Sequence, residues 1–202
     1  VSVVYLDIET GGLEPGRPII QLAAIAVGSE LGCDWTEIEV FERKIAFDES
    51  KADPEALAIN HHEPEVWRKE ALPEARVVGE FAAMLNRYRT ITLVSKRTGN
   101  PYTVARVAGH NIGGFDLDRL SALFKKHGTF FAVDFRSALD TRHGAVWHFE
   151  QKPPAERPKD YTLVGLAKHL GIEVAGAHDA LVDVRLSIAI AQRLLTAHGA
   201  AA

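Results

Sequence analysis

The sequence predicts one α/β domain organised around a mixed β-sheet. Strand-like runs at residues 3–9, 19–27 and 37–44 come first, and shorter β-prone runs then interleave with helical patterns, the order expected of an α/β architecture. At 202 residues, with 47% hydrophobic and 25% charged residues, the chain can bury one sizeable core and does not require a second. Residues 1–202 therefore read as a single domain.

In chain order, Val3-Val4-Tyr5-Leu6-Asp7-Ile8-Glu9 is apolar on both faces at its start, as a central strand covered on two sides would be. Its carboxylates come only at its end. Residues 10–16 are rich in turn formers and join this run to 19–27 as a hairpin-like pair. Residues 37–44 alternate apolar with charged, which suits an edge strand wet on one face. Asp53-Pro54 reads as a helix start with proline at the first helical position, and Phe81, Met84, Leu85 and Tyr88 form an apolar stripe further on.

Residues 90–95 and 103–108 are β-prone on either side of Arg97-Thr98-Gly99-Asn100-Pro101, which predicts a projecting hairpin near 90–106. Gly113-Gly114 permit a tight turn into a helix carrying Phe115, Leu117, Leu120, Leu123 and Phe124, stopped at Gly128. A short strand ends near Leu139-Asp140, a helix follows over 141–149, and prolines mark 151–160 as a loop. Leu163, Leu166, Ala167 and Leu170 share a helical face ended by Gly171, and 180–197 close the chain as a long helix.

The net charge of −4 argues against bulk electrostatic capture of nucleic acid, so any such binding must be local. The longest apolar stretches are too short or too interrupted to span a bilayer. No basic segment with a cleavage site opens the chain, so the expected location is cytoplasmic. The single cysteine, Cys33, has no internal disulfide partner and reads as a bystander.

Asp7 and Glu9 are two residues apart on a strand, so their side chains leave one face, about 7 Å apart along it. They can grip one ion, or form an acidic turn in solvent. Asp116 opens a helix after the run at 107–110, where it can serve chemistry or compensate the helix dipole. His178 and Asp183 are five residues apart and would lie on different faces of one regular helix. If Asp179 or His178 caps that helix, His178 sits on the preceding loop and Asp183 faces inward. Together, four acids and one histidine could surround a pair of oxygen-preferring cations. Zinc suits the set less well, because it offers no cysteine pair and no spaced histidine pair.

Three segments now stand out: Asp7-Ile8-Glu9-Thr10-Gly11-Gly12-Leu13, His110-Asn111-Ile112-Gly113-Gly114-Phe115-Asp116, and His178-Asp179-Ala180-Leu181-Val182-Asp183. In this order they resemble the DEDD exonucleases, histidine subgroup, which include proofreading-subunit and ribonuclease T-like 3′→5′ exonucleases. The resemblance spans nearly the whole chain, with Tyr161, Leu163, Leu166, Leu170, Gly171 and Ile172 in the region before the third motif.

The resemblance implies a ribonuclease-H-like fold, with a mixed five-stranded sheet flanked by helices. It also implies release of nucleoside 5′-monophosphates from nucleic-acid 3′ ends, DNA favoured, with two divalent cations, Mg2+ or Mn2+. Asp7, Glu9 and Asp183 would hold one ion, with Asp7 bridging to a second whose hydrated shell Asp116 steadies. His178 would take the proton of the attacking water. Thr10, Gly11 and Leu13 would cradle the terminal nucleotide, Leu13 as a wedge against bases, and Ile59, Asn111 and Phe115 match positions lining the same pocket. The implied partner is a single-stranded or frayed 3′ end, with a polymerase or a second copy of the chain as protein partner and no membrane.

The segment 90–106 is longer than the usual link into the second motif and carries Lys96, Arg97, Tyr102 and Arg106. It reads either as a substrate-guiding hairpin or as a solvated one. Lys152, Arg157 and Lys159 form a second candidate clamp. An exoribonuclease would use the same acids, and a binding module that has lost the reaction is a third reading.

Overall fold

The computed structural model describes residues 2–28 and 35–199, so Cys33 lies outside the described residues. Strands β1 (Ser2–Thr10), β2 (Ile19–Gly28) and β3 (Thr36–Lys44) are followed by helices α1 (Pro54–Ile59), α2 (Pro64–Glu70) and α3 (Glu74–Arg87). Next come β4 (Arg89–Val94), β5 (Pro101–Ala105), β6 (Val107–Gly109), α4 (Asp116–Lys126) and β7 (Leu139–Asp140). Helices α5 (Thr141–Glu150), α6 (Leu163–His169) and α7 (Ala180–Gly199) complete the order.

The main sheet runs β3-β2-β1-β6-β7, antiparallel among β1, β2 and β3 and parallel from β1 through β6 to β7. This is the mixed five-stranded sheet of the ribonuclease-H-like fold, with β4 and β5 forming a separate two-stranded hairpin. The edge position expected for 37–44 is where β3 lies.

The side-chain period of two along β1 divides the core. Val4, Leu6 and Ile8 join Leu22, Ala24 and Ala26 beneath Phe81, Met84 and Leu85 of α3 and Leu120 and Phe124 of α4. On the opposite face Tyr5 packs with Ala23, Ile25 and Ala108 beneath Ala180, Val184 and Ile188 of α7. Asp7 and Glu9 belong to Tyr5's face, so the strand ends by presenting both acids toward the start of α7. A third cluster, including Phe149, Leu166 and Ile190, fixes α5 and α6 against α7.

Three local expectations are corrected. Residues 103–108 are not one strand: Ala105 bridges to Val133, and the Arg106 carbonyl then accepts the Val4 N–H, so the chain leaves the hairpin for the main sheet at Arg106. The left-handed bend before α4 falls on Asn111, at φ 62°, whereas Gly113 and Gly114 lie in a 3-10 turn without positive φ. Phe115 precedes α4 at its N-cap rather than riding on it. No helix among the described residues is long and apolar enough to cross a membrane.

Candidate active site

One carboxylate oxygen from each of Asp7, Glu9 and Asp183 lies within 4.8 Å of the other two. Glu9 and Asp183 are buried and Asp7 partly so. Strand β1 supplies the first two because they share a face, and α7 supplies the third from its first turn. Asp116 stands outside this compact group. Its Oδ1 accepts the N–H of Ile8 at 3.1 Å, which fixes it beside the strand between the two acids.

The four carboxyls are held well above their usual range. Burial comes first for Asp7, followed by repulsion from Asp116, Glu9, Asp183 and Asp179. Burial, then Asp183 and Asp116, pushes Glu9 up to about 8. Burial takes Asp116 to about 7 against the opposing hydrogen bond from Ile8, and Asp183 to about 6 against the N–H and charge of His178. Asp183 Oδ1 is buried with no hydrogen-bond partner among the described residues. A crowd of buried anions with an unengaged oxygen is unfavourable by itself and is relieved by a cation. The donors are all oxygen, which suits a hard divalent ion such as Mg2+ or Mn2+.

His178 occupies the left-handed region, at φ 68°, on the loop just before α7. Its side chain is exposed, while its N–H reaches Asp183 Oδ2 at 3.3 Å. Asp179 caps the helix: Oδ1 accepts the N–H groups of Leu181 and Val182, each at 3.1 Å, and Oδ2 accepts Gln21 Nε2 at 3.1 Å. The cap resolves the five-residue spacing, since the histidine stays outside the helix while the acid faces inward. His110, which opens the second motif, is tied instead to Thr141 Oγ1 and the Tyr161 carbonyl, and burial lowers its pKa.

A cleft of about 520 Å³ opens beside Asp7 and Asp116, with Leu13, Asn111 and Phe115 also among its walls. Leu13 is 82% exposed at the cleft wall, where its side chain is open to contact. Thr10 and Gly11 lie in the buried turn behind, where the Thr10 hydroxyl donates to the Gly12 carbonyl. A Cβ on Gly11 would come within 2.6 Å of Ala52 Cβ. Ile59 stands exposed on α1 and is not among the residues lining the cleft.

Sequence reasoning missed Arg119, Asp140 and Arg142. The Arg119 guanidinium stacks 4.1 Å from the Phe115 ring centre and donates to the carbonyls of Leu13 and Glu14, tying the two cleft walls together. The four-residue spacing of Phe115 and Arg119 was the available signal. Asp140 Oδ1 accepts the N–H groups of Asn111, Arg142 and His143, and Arg142 donates to Asn111 Oδ1 at 2.9 Å. Asp140-Thr141 was readable as a helix cap. In the proposed second clamp, Arg157 is engaged by Glu150, which leaves Lys152 and Lys159 as its exposed cations.

The sheet order and flanking helices are those of the ribonuclease-H-like fold that the motifs imply. Among solved structures, the chain is similar to those of exonuclease I. It matches E. coli exonuclease I in complex with a dT13 oligonucleotide at a TM-score of 0.73 and 21% identity, covering 96% of this chain and 41% of that one. It matches the zinc-bound form of the E. coli exonuclease I–ssDNA complex at a TM-score of 0.71 and 24% identity, covering 98% and 41%. This chain thus spans about two fifths of the length of those proteins, and at such identity the likeness establishes the fold. No family model matches the sequence, and no curated protein does.

Proposed function

We propose that this chain is a metal-dependent 3′→5′ exonuclease that hydrolyses the terminal phosphodiester of single-stranded or frayed DNA and releases nucleoside 5′-monophosphates. The observation that carries the reading is the convergence of Asp7, Glu9 and Asp183 within 4.8 Å at the end of β1, with Asp116 and His178 beside them. The dT13 complex of the similar E. coli exonuclease I supports single-stranded DNA as the substrate class.

Asp7, Glu9 and Asp183 would hold one cation, and Asp116 is placed to steady the hydration of a second. When bound, such a pair activates water and neutralises charge on the incoming and departing oxygens of an in-line displacement. His178 takes the proton of the attacking water, its backbone anchored to Asp183 and its imidazole free on the solvent side. Leu13 and Phe115 offer apolar walls for the terminal base, and Arg119 keeps them in register.

Incubation of single-stranded DNA with Mg2+ tests this reading. Mononucleotide release should be abolished by chelator and by Asp183→Asn. Undiminished release by that variant would contradict it.

A further inference from the structure

A second concavity, of about 890 Å³, lies between the β4–β5 hairpin and residues 130–136. It sits at the end of β6 away from the acids. Six residues of extended chain, at most about 20 Å, separate Ala105, whose bridge partner Val133 lines the groove, from Asn111 at the cleft.

The groove combines exposed aromatic rings with cations that have no carboxylate partner among the described residues. Tyr102, Phe130 and Phe135 are 38%, 60% and 45% exposed, although burying such rings is favourable. Tyr102 and Phe130 meet edge to face at 6.0 Å, so each leaves ring surface open. Among these rings stand Lys96, Arg97 and Arg136, all exposed, with no carboxylate partner among the described residues. Elsewhere Arg17, Arg43, Arg87 and Arg185 each hold an acid, while exposed cations such as Lys125 and Lys159 hold none among the described residues, so it is the neighbouring rings that set Lys96, Arg97 and Arg136 apart. The one acid lining the groove, Asp134, is engaged by the Ser137 hydroxyl and the Arg136 N–H. A chain of net charge −4 has thus left uncompensated cations beside solvent-facing rings.

We propose that this groove is a second binding site for single-stranded nucleic acid. Bases stack on Tyr102, Phe130 and Phe135, and Lys96, Arg97 and Arg136 meet the phosphates. Alternating ring faces and cations complement a strand in which bases and phosphates alternate. An apolar protein segment would leave the cations unanswered. The proposal rests on the nuclease reading and extends it: a strand long enough to reach both sites binds more tightly than one confined to the cleft.

The test uses two double variants, Lys96→Glu with Arg97→Glu, and Tyr102→Ala with Phe130→Ala. All four side chains are exposed, so unfolding midpoints should stay close to wild type. Binding of a fluorescent, long oligothymidylate is measured in chelator over a range of salt, and turnover of a trinucleotide is measured with Mg2+. Each variant should weaken long-strand binding by at least about tenfold. The charge variant should also make the logarithmic salt dependence shallower by about 1.4. Trinucleotide turnover should be unchanged. Unchanged long-strand affinity would overturn the site, and an equal loss on the trinucleotide would overturn it as a general effect on the fold. Because binding is read without hydrolysis, an inactive protein that still uses the groove would refute the exonuclease reading separately.

Discussion

Glu9→Gln keeps the shape of the side chain and removes one of the buried charges beside Asp7 and Asp183. Burial and its neighbours raise Glu9 from 4.5 to about 8, so the folded, metal-free protein binds this proton more tightly than the unfolded chain. Its contribution to stability is therefore fully present below the unfolded value and is lost as pH rises toward 8. A displacement of that size corresponds to at most about 5 kcal/mol. Because Asp7, Asp116 and Asp183 compete for the same protons, about 2 kcal/mol is expected for a single neutralisation, or about 4–8 °C in Tm for a chain of this length. Thermal unfolding in chelator should show the variant more stable than wild type at pH 8.5 and indistinguishable at pH 4. Saturating Mg2+ at pH 8.5 should raise the wild-type Tm and leave the variant nearly unmoved. A variant no more stable than wild type at pH 8.5 without metal would refute the view of these acids as a crowded, cation-requiring cluster.

Other perturbations separate the roles of the neighbouring residues. His178→Ala should lower turnover by about 10²–10⁴-fold while leaving the metal-induced Tm shift intact, and equal losses in both would count against proton transfer by His178. Asp179→Ala removes the α7 cap at a cost of about 1 kcal/mol, seen as a Tm lowered by about 2–4 °C at pH 4, where the raised carboxyls of Asp7, Glu9, Asp116 and Asp183 are protonated and the lost charge relieves no repulsion among them. It should also slow turnover, because the same cap fixes the loop that carries His178. Leu13→Ala should change stability by less than about 0.5 kcal/mol, since the side chain is exposed, yet raise KM for single-stranded DNA. An unchanged KM would remove the wedge role.

The parts of the fold legible in the sequence were those with a local period. The double-sided apolar start of β1 and the stripe of α3 each reflect which faces are covered and were readable from neighbouring residues, whereas the alternation of β3 gave its edge position but not its wet face, since Ile38 and Val40 are exposed and Phe41 is buried. The placement of Asp7 and Glu9 on one face followed from the same period. The cap by Asp179 was legible as an alternative, because helix geometry could not seat His178 and Asp183 together. What escaped depended on contacts distant in sequence. Nothing near Arg106 announces that its carbonyl meets Val4, so the run at 103–108 looked continuous. Arg119 reaches Leu13 across more than a hundred residues, and no local pattern encodes that contact. The tight turn expected at Gly113-Gly114 is present as a 3-10 turn, but nothing local pointed to Asn111 as the left-handed residue before it, with its N–H held by Asp140 and its side chain by Arg142.

The most direct measurement follows single-stranded DNA labelled at its 3′ or its 5′ end through time, with Mg2+, Mn2+ or chelator, and with RNA in parallel. A 3′→5′ exonuclease converts the 3′ label at once into nucleoside 5′-monophosphate, shortens the 5′-labelled strand stepwise, and does neither in chelator. Release of the 5′ label first, or no mononucleotide from any of these strands with either metal, would contradict the assignment of Asp7, Glu9, Asp116, His178 and Asp183 to that reaction.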